Sequence, residues 1–152
     1  MPRRLQVRTS SPGRVPAVTE RTLVLIKPDA VRRGLVGEVL GRFERKGLVV
    51  VAMDQRTIDG ETADRHYAEH VDKDWYPPLR EFITSGPLVA IILEGDQAIA
   101  VVRGLNGATD GRAAAAGTIR GDLSLSNREN LVHASDSAES SAREIPIFFP
   151  SL

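Results

Sequence analysis

Three apolar stretches of the chain have the length and composition of buried strands. They are residues 22–26 (TLVLI), 48–53 (LVVVAM) and 87–95 (PLVAIILEG), all rich in branched side chains. A fourth, shorter run lies around residues 130–133, in the sequence NLVH. These runs predict four strands, with the first ending at the Lys-Pro-Asp that follows residue 26.

Segments with helical spacing separate the first three strands. The apolar residues between Leu35 and Phe43 recur on one helix face, and Gly47 supplies a stop. Asp59 can cap a helix that runs to about His70. The pair Pro77-Pro78 opens another short helix, which is predicted to end at a Ser-Gly at residues 85–86.

The chain after the third strand alternates helix, loop, strand and helix. Asp96 can cap a helix that extends to about Leu105. Residues 106–121 are glycine-rich with little periodicity and predict a long loop, which in a compact domain is usually functional. Asp136, with a glutamate three residues later, is the predicted cap of the last helix, and Pro146 is expected to bar its continuation.

The resulting order is β-α-β-α-α-β-α-loop-β-α, without internal repeats. This order predicts an α+β fold of the ferredoxin-like βαββαβ type, a four-stranded antiparallel sheet with helices on one face. The helical pair between the second and third strands and the glycine-rich loop are additions to that sandwich.

Composition places the chain among ordinary globular proteins. Its 152 residues suit one domain, and 41% hydrophobic with 26% charged residues is typical of a folded, soluble chain. No apolar run approaches the length of a membrane span, and no secretory apolar segment is recognisable at the start. The absence of cysteine excludes disulfides, thiolate metal sites and a cysteine nucleophile, so we expect a cytoplasmic protein.

The charge is balanced overall but uneven along the chain. Residues 1–18 hold four of the 20 basic residues and no acidic one, and they predict a disordered basic extension. The remaining residues 19–152, predicted to form a single domain, carry 16 basic against 20 acidic residues. Because a protein that binds duplex nucleic acid normally presents a basic face, nucleic-acid binding is not expected of this domain.

The common nucleotide-binding motifs are missing. The segment GLVGEVLG at residues 34–41 is not a G-x-G-x-x-G fingerprint, and no G-x-x-x-x-G-K-[ST] occurs anywhere. His66 and His70 are four residues apart in RHYAEH, a spacing that can hold a metal ion on one helix face. Glu69 does not occupy the position of the glutamate in H-E-x-x-H, and no third ligand is indicated. The pair is therefore predicted to lie on a helix surface, without a metal.

His133 is the strongest candidate for chemistry. It ends the short fourth strand just before a helix start, where free N–H groups and the helix dipole favour a phosphate. A neutral imidazole is a good nucleophile toward phosphorus at pH 7. Ser135 and Glu144 could orient it. Spacing alone leaves open the alternative of a structural histidine at a strand end.

Several cationic and polar residues elsewhere could bind the phosphates of a ligand. Lys27 ends the first strand, Arg103 lies late in a helix, Thr109 is within the glycine-rich loop, and Arg120 follows that loop. Each has an ordinary structural explanation on its own. Together they form a plausible clamp for a polyphosphate that is bound without a P-loop.

The chain from about Glu20 to Phe149 resembles nucleoside diphosphate kinases. The resemblance is carried by five blocks in order: ERTLVLIKPDAVRRGLVGEVLGRFERKG, HYAEH, EFITSGPLVAIILEG, TIRGD and NLVHASDSAESSAREI. The last block corresponds to the family's N-x-x-H-[GA]-S-D signature, which is highly specific.

The resemblance assigns roles to individual residues. It implies that His133 becomes phosphorylated, that Lys27 reaches the phosphates and ribose, and that Asn130 binds the sugar hydroxyl. Trp75 corresponds to the aromatic residue that stacks on the base. The remaining matches are the phosphate-binding Arg103, Thr109 and Arg120, and the residues that position the histidine, Tyr67, Ser135 and Glu144.

The resemblance also implies a reaction and partners. A ping-pong transfer would carry the γ-phosphoryl group from a nucleoside triphosphate, mainly ATP, through the histidine to a nucleoside diphosphate. Mg²⁺ is the implied cofactor, held mainly by the nucleotide phosphates, with no protein ligand assigned. Family members are usually homo-oligomers, so a hexamer is expected, with a tetramer as the alternative. The competing interpretations are a non-catalytic nucleotide-binding scaffold, a nucleic-acid-binding protein that uses the arginines of residues 1–18, a phosphocarrier protein and a phosphatase.

The sequence departs from the family pattern at a few positions. The family's usual prolines after the loop threonine and before GTIRGD are replaced by Gly111 and Ala116, which predicts a less pre-organised loop. Asn127 stands where an apolar residue often covers the other face of the base. Ala30 replaces a common glycine.

Overall fold

The computed structural model describes residues 19–152, and these residues build one antiparallel sheet. Its strands are β1 (Thr19–Ile26), β2 (Val49–Arg56), β3 (Leu88–Asp96) and β4 (Val132–Ala134), in the spatial order β2-β3-β1-β4. All neighbouring strands are antiparallel. The ferredoxin-like α+β prediction is confirmed. The predicted basic extension, residues 1–18, lies outside the described residues.

Helices follow the strands largely where periodicity predicts them. They are α1 (Pro28–Arg32), α2 (Val36–Lys46), α3 (Gly60–His66), α4 (Tyr76–Ile83), α5 (Ala98–Asn106), α6 (Ile119–Leu123) and α7 (Ala138–Phe148). The one-turn helices α1 and α6 were not predicted, because five residues are too few to display a periodicity. None of the helices in the described part of the chain is long and apolar enough to cross a membrane.

Helices cover both faces of the sheet, so the expectation of helices on one face is wrong. Side chains alternate along β1, and Val24 and Ile26 pack with α2 and α5 in one apolar cluster. Leu23 and Leu25 point the other way and pack with α3, α4 and α7 in a second cluster. The central strands are therefore buried on both sides, which explains why they are continuous apolar runs.

Three of the predicted helix signals are confirmed, and one of them is the Pro77-Pro78 pair, which lies in the first turn of α4. The Asp59 side chain accepts a hydrogen bond from the backbone N–H of Thr62 (2.8 Å) and caps α3. Gly47 ends α2 with a φ of 102°, a left-handed conformation that favours glycine. Helix α3 ends at His66, earlier than the predicted His70, and hydrogen-bonded turns continue the chain to α4.

Three other signals, those at Asp96, Asp136 and Pro146, are corrected by the structure. Asp96 is the last residue of β3, and α5 begins with Gln97 as its N-cap. Ser137, rather than Asp136, caps α7 by accepting from the N–H of Ser140 (3.0 Å). Pro146 lies inside α7, which continues to Phe148. A proline this near the end of a helix removes one N–H and leaves the last bond, from the Phe149 N–H to the Ile145 carbonyl, intact.

The glycine-rich segment is more ordered than the predicted long loop. It ends in α6, which Thr118 caps by accepting from the N–H of Gly121 (3.0 Å). The N–H of Gly111 donates to the Ser126 carbonyl (3.0 Å), and a Cβ at residue 111 would lie 2.3 Å from the Ser124 carbonyl oxygen. Close backbone packing therefore requires glycine here and holds this segment against residues 124–126.

Candidate active site

A cavity of about 1040 Å³ opens between the end of α3, the glycine-rich segment and β4. It is lined by all of the predicted site residues except Ser135, which is fully buried behind it. The lining members are Lys27, Tyr67, Trp75, Arg103, Thr109, Arg120, Asn130, His133 and Glu144. The fold thus brings together residues that lie up to 117 positions apart, from Lys27 to Glu144.

His133 is held by a buried carboxylate. Its Nε2 lies 3.1 Å from Glu144 Oε2, and the hydroxyl of Ser135 donates to the same oxygen (2.8 Å). The side chain of Glu144 is 5% exposed and that of His133 is 21% exposed. A carboxylate accepts hydrogen bonds only, so Nε2 carries the proton and Nδ1 carries the free lone pair.

Strand β4 fixes the position of this group. His133 is opposite Leu25 in the antiparallel pairing with β1. One residue beyond β4, Ser135 exchanges two hydrogen bonds with Leu23, donating its N–H to the carbonyl (3.1 Å) and accepting from the N–H through Oγ (3.2 Å). Ser135 is therefore anchored to the centre of the sheet and positions Glu144 through its hydroxyl.

The turn before β4 contains a left-handed leucine. Leu131 has a φ of 75°, and the N–H of Val132 donates back to the Asn130 carbonyl (2.9 Å) across it. Two partners hold this residue: the Lys27 N–H donates to its carbonyl (2.8 Å), and its own N–H donates to Asp29 Oδ2 (3.1 Å). Lys27 and Asp29, which directly follow β1, thus stabilise a strained turn next to His133.

Lys27 and Asn130 form a buried pair at the cavity wall. Lys27 Nζ donates to Asn130 Oδ1 (2.6 Å), and Asn130 Nδ2 donates to the Thr109 carbonyl (2.7 Å). Burial, with a further contribution from the positive charge of Arg120, lowers the pKa of Lys27 to about 8, while Asp29 opposes the shift. An anion that entered the cavity would restore the proton affinity of this ammonium group.

The two predicted arginines differ in their surroundings. Arg120 donates to the carbonyls of Asn130 (3.2 Å), Gly107 (2.8 Å) and Val132 (2.7 Å). Burial and the neighbouring charge of Arg103 lower its pKa to about 10. Arg103 is exposed on α5. The backbone contacts orient the Arg120 guanidinium, and they use three of its five N–H groups.

Aromatic side chains form the other side of the cavity. Trp75 is 49% exposed, and its ring centroid lies 5.0 Å from that of His70. Tyr67 is buried, and burial raises the pKa of its phenol, so the phenol stays protonated at neutral pH. Its ring lies 6.5 Å from that of His133. Trp75 is accessible to a flat ligand, whereas Tyr67 supports the histidine from within.

His66 is buried, so the prediction of an exposed pair with His70 is wrong. It is 2% exposed and packs edge-on against His133, with ring centroids 4.6 Å apart. Burial, reinforced by the neighbouring His133 and by the positive charge of Arg143, places the pKa of His66 well below the ordinary value. Ala63, His66 and Tyr67 recur at the spacing of one helix face, a signal that could have indicated the burial.

Further cavity residues were not predicted. Arg112, Arg128 and Arg143 add positive charge to the lining. Arg143 also donates to the carbonyls of Arg65 (3.4 Å) and His66 (3.3 Å) and so fixes the end of α3. No local motif marks these arginines, because the fold alone turns them toward the cavity.

Comparison with known proteins gives one consistent result. Residues 20–152 match the family model of nucleoside diphosphate kinase. The chain is 72% identical over 132 residues to a nucleoside diphosphate kinase of a Nocardioides species, covering 87% of this chain and 98% of that one. It is 61% identical over 136 residues to that of Mycobacteroides abscessus, covering 89% and 100%.

Solved structures agree with the sequence comparison. A nucleoside diphosphate kinase from Halobacterium salinarum in complex with CDP is 49% identical and superimposes with a TM-score of 0.84, covering 86% of this chain and 87% of that one. A family protein from Babesia bovis is 46% identical with a TM-score of 0.83, covering 86% and 88%. In both comparisons the likeness covers 86% of this chain.

Proposed function

The chain belongs to the nucleoside diphosphate kinase family, and on that premise we propose that His133 carries the phosphoryl group in the family's reaction. The enzyme is a phosphotransferase that converts a nucleoside triphosphate, mainly ATP, and a nucleoside diphosphate into the corresponding diphosphate and triphosphate. The observation that carries the assignment of His133 is its bond to the buried Glu144 at the wall of a cation-lined cavity.

Phosphoryl transfer begins at Nδ1 of His133. Because Glu144 keeps the proton on Nε2, the lone pair of Nδ1 is free to attack the γ-phosphorus. The Nδ1–P bond forms as the bond from phosphorus to the bridging oxygen breaks, and the diphosphate leaves with that electron pair. The ring gains positive charge during attack, which the carboxylate of Glu144 stabilises. A second diphosphate then takes the phosphoryl group back from Nδ1.

The cationic residues neutralise the charge of the transferring group. Lys27 and Arg120 are pre-oriented by protein contacts, while Arg103 is exposed and free to adjust. Thr109 adds a hydroxyl from the glycine-rich segment. The side-chain amide of Asn130 positions this residue by donating to its backbone carbonyl. Such a clamp positions the phosphates and stabilises charge, and most of the rate of phosphoryl transfer comes from these two effects.

The sugar and base are assigned to the outer part of the cavity. Asn130, already bonded to Lys27, is proposed to bind a ribose hydroxyl. Trp75 offers a half-exposed indole on which a base can stack. Because stacking does not distinguish one base from another, we propose that the site accepts all of them. Asn127, also in the cavity lining, replaces an apolar cover with an amide.

Mg²⁺ is the proposed cofactor, and it polarises the phosphates to which it is bound. The carboxylates in the lining are Glu69, Asp136 and Glu144. Glu144 is engaged by His133 and Ser135, and Asp136 accepts from the Ser140 hydroxyl. The lining therefore suits an anion better than a bare hard cation, and the ion is proposed to enter with the nucleotide phosphates as its main ligands. We assign it no protein ligand.

The assembly and location follow the family expectation. We propose a homo-oligomer, a hexamer with a tetramer as the alternative, located in the cytoplasm, with residues 19–152 as its single domain. Gel filtration with light scattering on the full chain distinguishes the two oligomers, since they differ by two chains in mass.

A labelling experiment tests the proposed function. Incubation with γ-labelled ATP and Mg²⁺, without acceptor, should give an acid-labile phosphoprotein that GDP or CDP discharges into GTP or CTP. His133→Ala should not be labelled, whereas His70→Ala, which changes a histidine outside the Glu144 pair, should be. A wild-type protein that binds ATP without label would instead be a non-catalytic scaffold. Label lost only to water would identify a phosphatase.

A further inference from the structure

His66 is a buried polar side chain to which the proposed phosphoryl transfer assigns no role. Neither ring nitrogen has a hydrogen-bond partner among the described residues, although the side chain is 2% exposed. An imidazole without partners leaves at least one lone pair unused, and burying an unsatisfied polar group is destabilising. His66 also reaches the cavity wall, so a small ligand in the cavity can reach it.

The neighbours of His66 complete a set of metal-binding atoms. One ligand atom each from His66, His133 and Glu144 lie within 4.8 Å of one another. The chain contains three histidines and no cysteine, so two of its three imidazoles are in this cluster and no thiolate competes with it. His70, the third histidine, lies outside the cluster.

We propose that His66, His133 and Glu144 form an inhibitory binding site for Zn²⁺ or a similar transition-metal ion. Ligand atoms of a tetrahedral zinc site lie about 3.4 Å apart, for bond lengths of about 2.1 Å. One pair already meets this requirement, since His133 Nε2 and Glu144 Oε2 are 3.1 Å apart. The three ligand atoms lie at most 4.8 Å apart, so a movement of up to about 1.4 Å at the His66 nitrogen completes a three-ligand site with an open fourth position.

A bound ion inhibits phosphoryl transfer because it occupies Nε2 of His133, the nitrogen that must carry the proton. A metal bond to Nε2 uses the lone pair of that nitrogen, so the ring's single proton moves to Nδ1. Nδ1 then has no lone pair with which to attack phosphorus, and Glu144 is bound to the ion instead of the ring. This consequence rests on the proposed role of His133, whereas the metal site itself does not.

The ligand set determines which ions bind. Two imidazoles and one carboxylate suit zinc, copper, nickel and cobalt, whereas Mg²⁺ requires mainly oxygen ligands. The positive charges of Arg143 and Lys27 lie near His66 and repel a cation. An ion that is bound only by electrostatic attraction is therefore disfavoured at this site. Directional bonds to nitrogen are therefore needed, and we expect no competition from millimolar Mg²⁺.

A titration of the nucleotide-free full chain tests the site. Zn²⁺ measured by calorimetry, and Co²⁺ measured by its visible absorption, should bind with one ion per chain in the presence of excess Mg²⁺. His66→Gln should weaken binding about tenfold or more, since even residues that only orient metal ligands contribute that much. The matched variant His70→Gln should bind like the wild type. Equal affinity in the wild type and His66→Gln would overturn the proposal.

A second measurement needs no variant and so does not depend on how well His66→Gln folds. Long-range proton–nitrogen NMR resolves the ring nitrogens of three histidines in the wild-type chain. Saturating Zn²⁺ should shift the nitrogens of two histidines together, at one metal equivalent, and leave the third unchanged. A shift confined to one histidine, or spread equally over three, excludes the site.

A third measurement separates the site from the kinase mechanism. Preincubation with Zn²⁺ should prevent phosphoenzyme formation from γ-labelled ATP and excess Mg²⁺, and a chelator should restore it. If the wild type binds Zn²⁺ at the two histidines but never becomes labelled, the metal site stands and the proposed function fails. Labelling that Zn²⁺ leaves unchanged overturns the inhibitory role.

Discussion

The charge of Glu144 is predicted to set the rate of histidine phosphorylation. Glu144→Gln keeps an oxygen that can accept from both His133 Nε2 and the Ser135 hydroxyl, but it removes the negative charge. Hydrogen bonds to charged groups contribute about 1.5–3 kcal/mol and neutral ones about 0.5–1.5 kcal/mol. The difference, about 1–1.5 kcal/mol, acts when the ring becomes positive. At about 1.4 kcal/mol per factor of ten, phosphorylation should slow about tenfold.

Rapid-quench measurement of a single turnover tests this prediction. The rate of phosphoenzyme formation at saturating ATP should fall, while the KM for ATP stays near the wild-type value, because Glu144 is proposed to contact His133 rather than the nucleotide. Ser135→Ala is the matched control, since it removes one bond to the same oxygen and keeps the charge. A larger loss in Ser135→Ala than in a well-folded Glu144→Gln, or an unchanged rate in Glu144→Gln, would refute the electrostatic reasoning.

Three further outcomes follow from the same site. Lys27 has a pKa of about 8, so kcat/KM for ATP should fall above pH 8 as the free enzyme loses this charge, and a pH profile of Lys27→Met should lack that decline. Asp29→Ala leaves the buried N–H of Leu131 without its acceptor, which should cost about 1–3 kcal/mol and lower Tm by about 3–10 °C in calorimetry, whereas Asp29→Asn should lose less. Trp75→Ala should raise the KM for ATP about fivefold or more, Trp75→Phe should change it little, and quenching of this single tryptophan by ADP reports binding directly. A flat pH profile, an unchanged Tm or an unchanged KM would contradict the respective assignment.

Local patterns predicted most of the fold. The branched apolar runs became β1, β2 and β3, and Gly47 and Asp59 ended and began helices as their chemistry requires. The predictions failed where two local signals competed within a few residues. Asp136 and Ser137 are both good caps, and in the structure it is the Ser137 side chain that accepts from the helix N–H.

The candidate site was predicted from residue types and the family resemblance, but not from geometry. His133, Lys27 and Arg120 were identified by sequence, and the fold brings them to one cavity. His66 was assigned to a surface because a histidine pair on a short helix gives no indication of what packs against it. Its contact with His133 joins two segments that are 67 residues apart.

The sequence by itself determined the strands, most helices and the class of the sheet, because these depend on local periodicity, and a specific motif singled out His133 as the proposed nucleophile. Only the tertiary structure decided that helices cover both faces and that Glu144 fixes the proton on His133. It also decided that His66 lies beside them with no hydrogen-bond partner among residues 19–152. The physical reason is that side-chain contacts and burial depend on how distant segments pack. Lys27 and Asn130 bond across 103 positions of sequence, a distance over which periodicity carries no information.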